Sequence, residues 1–130
     1  MDEATAIRTQ GLVKFYGDFQ ALYGVDLEVR KGEIFGFLGP NGAGKTTTVR
    51  CLLDLIHRND GEVQVLGIDP ENDPVGVQRK VGYLPGELNL DNNLTAKTLL
   101  RYFNELRGKN ADWTTINELA DRLSLDIERP

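Results

Sequence analysis

Cysteine is almost absent: Cys51 is the only one in 130 residues, which rules out an intrachain disulfide and a cysteine-based zinc cluster. It falls on the apolar side of an expected helix, where a buried structural thiol is favoured over a reactive one, because reactivity needs exposure and an electropositive setting. Basic excess is missing too. A formal net charge of -5 argues against a generic nucleic-acid or acidic-membrane binder, whose surface needs surplus lysine and arginine. Histidine is as scarce as cysteine: His57 is the sole one, and a structural or surface role is favoured for it over catalysis. No apolar stretch approaches a membrane span, and the acidic start Met1-Asp2-Glu3-Ala4 is followed by no signal-type apolar segment. A cytoplasmic chain of one domain, or a piece of one, is expected, with no nucleic-acid partner and no insertion into a membrane.

What is present is glycine in one telling arrangement. Gly39-Pro40-Asn41-Gly42-Ala43-Gly44-Lys45-Thr46 fits G-x-x-x-x-G-K-[ST]. Four fixed positions match by chance in well under ~1% of chains of this length at average residue usage. Before it stands Ile34-Phe35-Gly36-Phe37-Leu38, an unbroken apolar run of the kind expected for a strand covered on both faces. After it come Val49, Leu52, Leu53 and Ile56 at helical spacing.

Each residue of the loop has a physical task. Gly39, Gly42 and Gly44 permit backbone angles that a side chain forbids, so successive amides, those of Asn41 and Ala43 among them, can turn inward around a phosphate. The following helix adds its N-terminal amides and positive dipole end. Lys45 would reach the β- and γ-phosphates, the Thr46 hydroxyl would ligate Mg²⁺, and Thr47 would donate to a further phosphate oxygen. A glycine-rich turn without ligand is the bland alternative.

Elsewhere, Ala4 to Phe15 and Ala21 to Arg30 read as strands around a turn at Tyr16-Gly17-Asp18, with a second turn at Lys31-Gly32-Glu33. The helix after the loop is expected to end near His57, at the turn formers Arg58-Asn59-Asp60-Gly61, which would put His57 where a cation suits the helix dipole. Glu62 to Leu66 alternates as a strand, Gly67 to Gly76 reads as a solvated loop, and Val81 to Leu84 as a short strand. Thr95 can cap a helix bearing Leu99, Phe103 and Leu106 and ending at Gly108. Asp112 or Thr115 starts another, with Ile116, Leu119, Ala120 and Leu123 on one stripe and Glu118 able to complete a capping box with Thr115. Both stripes are expected to be packing faces.

Val13-Lys14-Phe15-Tyr16-Gly17, Ala21-Leu22-Tyr23-Gly24-Val25-Asp26-Leu27, Gly36 to Thr47, Asp60-Gly61-Glu62-Val63 and Val81-Gly82-Tyr83-Leu84-Pro85 together resemble the N-terminal part of an ABC transporter ATP-binding subunit. The likeness covers nearly the whole chain and is strongest to the drug-exporter branch, daunorubicin-type ATPases included. It implies an α/β P-loop NTPase core with an antiparallel β-subdomain at the N-terminus and the start of an α-helical subdomain. Residues 1–35 would be mainly the β-subdomain, 34–90 the P-loop core and 94–130 the start of the helical part.

The resemblance also implies ATP and Mg²⁺ as ligands, a membrane-spanning transporter subunit and a second ATP-binding subunit as partners, and a peripheral place on the inner face of the cell membrane. Tyr16 matches the adenine-stacking aromatic, with an ordinary hairpin tyrosine as the alternative. Pro85-Gly86-Glu87 falls on the Q-loop, where the family's glutamine is replaced by Gly86; Glu87 beside it is a candidate Mg²⁺ ligand, a plain turn being the other reading. The signature Leu-Ser-Gly-Gly-Gln, the Walker B aspartate, the catalytic glutamate and the switch histidine have no match between Met1 and Pro130. No catalytic residue is therefore assigned. ATP binding with little hydrolysis is expected; a non-enzymatic fragment and a small kinase or GTPase with another phosphate loop are the competing readings.

Overall fold

The computed structural model describes residues 3–38, 44–85, 93–106 and 111–129, and the chain divides into two units, Met1–Tyr83 and Leu84–Pro130. In the first, β1 (Thr5–Tyr16) and β2 (Phe19–Arg30) form an antiparallel hairpin. Gly17, in the turn, adopts φ 60°, an angle that glycine accepts without a Cβ penalty. β3 (Asp60–Val65) pairs antiparallel with the other edge of β1, giving the order β2-β1-β3. The N-terminal antiparallel subdomain expected from the sequence is thus present.

Gly61, at φ 94°, lies so close to β1 that a Cβ there would run into the Gly11 carbonyl. The approach lets β3 start tight against a bulge in β1, where the register shifts between Gln10 and Val13.

One face of the sheet is closed by α1 (Lys45–Leu52) and α2 (Pro74–Lys80). Leu12, Leu22, Cys51, Leu52, Leu53, Val63, Val65 and Val77 make the core, edged by Ile7, Val25, Val49 and Ile56. The buried polar side chains are satisfied: Thr9 Oγ1 donates to the Val25 carbonyl at 2.8 Å, and Thr5 Oγ1 to Glu28 at 3.1 Å. These bonds tie β1 to β2 in side-chain as well as backbone terms.

Several expectations fail for definite reasons. α1 stops at Leu52, not near His57, because Asp54 takes φ 54°. The Leu55 amide then reaches the Arg50 carbonyl (2.9 Å) and the Asp54 amide reaches Cys51 (3.2 Å), the paired bonds of a Schellman stop. The Gly67–Gly76 segment is not all solvated loop: Pro70 is fully buried, and Asp73 caps α2 by accepting from the Gly76 amide at 2.9 Å, with Pro74 at the first helical position.

Ile34 to Leu38 forms no strand, and neither does Val81 to Leu84. Ile34 is 102% and Leu38 93% exposed. An apolar run specifies which faces want burial, but a strand also needs neighbours for its amides and carbonyls. β1 is already flanked on both sides, and among the described residues no strand pairs with 34–38.

In the second unit, α3 (Ala96–Leu106) and α4 (Trp113–Arg122) are the two expected helices. Thr95 caps α3 through Oγ1 to the Thr98 amide (3.1 Å), and the carbonyls of Ile127 and Arg129 accept from the Lys97 and Ala96 amides. Gly108 lies outside the described residues. Asp112 is the cap of α4, accepting from the Thr114 and Thr115 amides. Glu118 does not close the expected box, since the Thr115 hydroxyl donates to Asp112 at 2.9 Å. Neither apolar stripe is buried as expected: Phe103, Leu106, Leu119 and Leu123 are exposed, while Ala120 is covered.

Candidate functional site

Gly44 opens α1 as its N-cap at φ 93° and ψ 8°, a left-handed conformation, with no side chain capping the helix. Its carbonyl accepts from both the amide and the hydroxyl of the buried Thr48, at 2.8 Å each. A Cβ on Gly44 would stand 2.7 Å from Leu22 Cδ2 and 3.2 Å from the Ala21 carbonyl. The residue is therefore held by conformation and by packing at once. Lys45, Thr46 and Thr47 form the first turn, Thr46 exposed and the other two half-buried. The amides of Thr46 and Thr47 have no carbonyl one turn earlier within the helix, so this end carries the positive pole.

Tyr16, the last residue of β1, reaches this turn. Its hydroxyl lies 3.3 Å from Thr47 Oγ1 across 31 residues of sequence. The sequence-assigned Tyr16, Gly44, Lys45, Thr46 and Thr47 thus cluster at one corner of the first unit; Gly39, Asn41, Gly42, Ala43 and Glu87 lie outside the described residues.

Two residues that sequence reasoning left without a task complete the corner. The Lys14 ammonium donates to the His57 carbonyl at 2.6 Å and sits 5.5 Å from the Tyr16 ring centroid. Asn59 braces the same strand end: its amide donates to the Val13 carbonyl (2.8 Å) and its side-chain oxygen accepts from the Phe15 amide (2.7 Å). The i, i+2 spacing of Lys14 and Tyr16 on a strand was the visible signal, since such residues share a face.

Next to Asn59 in sequence, Arg58 forks onto Asp69 with bonds of 2.9 and 2.8 Å. That hydrogen bonding holds the Asp69 carboxyl below the usual carboxylate range and raises the Arg58 guanidinium. Burial pushes the Cys51 thiol up, as suits a structural cysteine.

His57 does not lie in the last turn of α1, as the sequence suggested; it is an exposed side chain bonded through Nδ1 to Asp54 at 2.9 Å. With Glu71 these residues put three donor atoms within 4.8 Å of one another. Glu71 also lies 3.6 Å from the Arg58 guanidinium, whose charge opposes a cation there. For Mg²⁺, the exposed Thr46 hydroxyl is a hard oxygen of suitable chemistry.

A family model described as ABC transporter matches residues 22–129. The chain is 39% identical over 123 residues to the daunorubicin resistance ATP-binding protein DrrA3 of Streptomyces coeruleorubidus, covering 93% of this chain and 39% of that protein. It is 38% identical over 118 residues to the daunorubicin/doxorubicin resistance ATP-binding protein DrrA of Streptomyces peucetius, covering 91% of this chain and 35% of that one. Among solved structures, an ATP-binding subunit of an ABC transporter superposes with a TM-score of 0.78 at 25% identity, over 96% of this chain and 54% of the other. The chain thus spans little more than a third of the two curated relatives. No helix of the described residues is long and apolar enough to cross a membrane.

Proposed function

The chain belongs to the ABC transporter family, and from that premise we propose that it is the ATP-gripping part of an exporter's ATP-binding subunit. Gly39 to Thr47 wrap the phosphates, Lys45 neutralises the β- and γ-phosphates, Thr46 holds Mg²⁺ with Glu87 as a second oxygen ligand, and Tyr16 stacks the adenine. The observation carrying this reading is the 3.3 Å approach of the Tyr16 hydroxyl to Thr47, which brings a planar ring beside the phosphate-binding turn. A base and a triphosphate need such neighbouring supports.

In the complete protein this part would work with a membrane-spanning subunit and a second ATP-binding subunit, on the cytoplasmic face of the membrane. Residues 1–35 would serve as its β-subdomain, 34–90 as its P-loop core and 94–130 as the beginning of its helical subdomain. The transported molecule would be a drug or another small compound, by analogy with relatives named for daunorubicin resistance.

Phosphoryl transfer relies on positioning and charge neutralisation. Without a Walker B aspartate or a water-polarising glutamate in the sequence, the 130-residue chain binds ATP and turns it over little. Phosphate release assays on the wild type and Lys45→Ala test this; robust turnover that depends on Lys45 contradicts it. Preference for GTP, with indifference to Tyr16→Ala, would instead favour another phosphate-loop enzyme.

The exposed Ile34 and Leu38 favour a second reading, a nucleotide-binding or interaction fragment that depends on a partner. A compact monomer that melts cooperatively, seen by sizing and circular dichroism, counts against it.

A further inference from the structure

Neither the phosphate loop nor the family resemblance gives Lys14 a task, yet it makes the most directed polar contact near Tyr16. We propose that Lys14 is a positioning residue for the base platform: its ammonium covers one face of the Tyr16 ring and so presents the other face to adenine. The inference rests on the reading of Tyr16 as that platform.

Two contacts reach the Tyr16 side chain, and a third interaction holds the strand that carries it. From behind, the Lys14 ammonium is anchored 2.6 Å from the His57 carbonyl while standing 5.5 Å from the ring centroid. Along the strand, Asn59 bonds to Val13 and Phe15, the residues on either side of Lys14. At its far end, the ring hydroxyl meets Thr47 Oγ1 at 3.3 Å. Tyr16 as a whole residue nevertheless remains 43% exposed. A cation over one π face draws on the ring quadrupole and leaves the opposite face poorer in electrons, which favours stacking of an electron-rich purine there. It also keeps the ring from collapsing onto the strand when no base is bound.

The full chain is titrated with Mg·ATP and with Mg·tripolyphosphate, which has the phosphates but no base, in the wild type, Lys14→Met, Lys14→Arg and Tyr16→Ala. Lys14→Met should weaken ATP binding by about two- to fivefold, the range of an exposed cation–π contact, and leave tripolyphosphate binding unchanged. Lys14→Arg should restore most of the loss, because guanidinium also lies on aromatic faces. In the ligand-free protein, the Lys14 ε-methylene protons should resonate upfield and return to normal positions in Tyr16→Ala.

Equal losses for both ligands in Lys14→Met overturn the proposal, since they place Lys14 on the phosphates or in the fold. Unchanged ATP binding in Lys14→Met overturns it while leaving the platform reading intact, provided Tyr16→Ala loses ATP selectively. If Tyr16→Ala leaves the ratio of the two affinities unchanged, the platform reading itself falls. Absence of the upfield shift removes the contact on which everything here stands, whatever the titrations give.

Discussion

Replacing Gly44 by alanine tests how conformation and packing hold the turn that opens α1. The backbone at φ 93° and ψ 8° is left-handed, which costs a non-glycine residue about 1–2 kcal/mol. The new Cβ would also meet Leu22 Cδ2 at 2.7 Å and the Ala21 carbonyl at 3.2 Å. Leu22 is only 2% exposed, so its side chain cannot swing into solvent, and overpacking of this kind costs about 1–3 kcal/mol. Together the terms give about 2–5 kcal/mol, a large part of the roughly 5–15 kcal/mol that holds a domain folded. Gly32→Ala isolates the first term: Gly32 sits at φ 79° with nothing within 4 Å of its would-be Cβ, so it should lose only about 1–2 kcal/mol. Urea denaturation followed by far-ultraviolet circular dichroism measures both. Equal losses in the two variants would refute the reasoning, since the collision with Leu22 would then contribute nothing. A second check is Leu22→Ala combined with Gly44→Ala, which should cost less than the sum of the single changes because the collision is gone.

Acid should act on the first unit through Asp69. Its folded pKa is depressed, chiefly by the hydrogen bonds from Arg58, so the stabilisation is complete above the unfolded value of about 3.9 and is lost as pH falls through the folded one. Asp69→Asn should cost about 1–3 kcal/mol at neutral pH, and its deficit relative to wild type should shrink below about pH 4; a pH-independent deficit would show that the pair is not the cause. In the second unit, Asp112 is likewise depressed, first by the Thr115 hydroxyl and then by the Thr115 and Thr114 amides. The helical signal of α4 should therefore decay as pH falls through that lowered pKa, and Asp112→Ala should abolish this step in the 222 nm ellipticity. Identical acid profiles for the two proteins would assign the cap to another group.

The hairpin, the third strand, the phosphate-loop helix and both C-terminal helices were legible because their signals are local: alternation, turn glycines and capping side chains. Helix ends were less so. α1 and α4 both stop on left-handed residues that are not glycine, Asp54 and Ser124, whereas a helix end is normally read from glycine. α2 is hidden in the sequence because Asp73-Pro74 stands among acidic residues that read as loop, although aspartate before proline is also a helix start. The 34–38 segment shows the limit of pattern reading, since strand formation depends on a backbone partner elsewhere in the chain. At the site, the residue types of the phosphate loop announced themselves, but Lys14 did not. Its role depends on the carbonyl of His57, 43 residues away, and only the folded chain brings the two together.

The most direct measurement is a calorimetric titration of the 130-residue chain with Mg·ATP, beside Lys45→Ala. A phosphate-gripping turn predicts saturable binding by the wild type and a loss of about tenfold or more in the variant, as expected for removing a charged hydrogen-bonding partner. Equal affinity in the two proteins, or no binding by the wild type, would contradict the assignment of this turn to ATP.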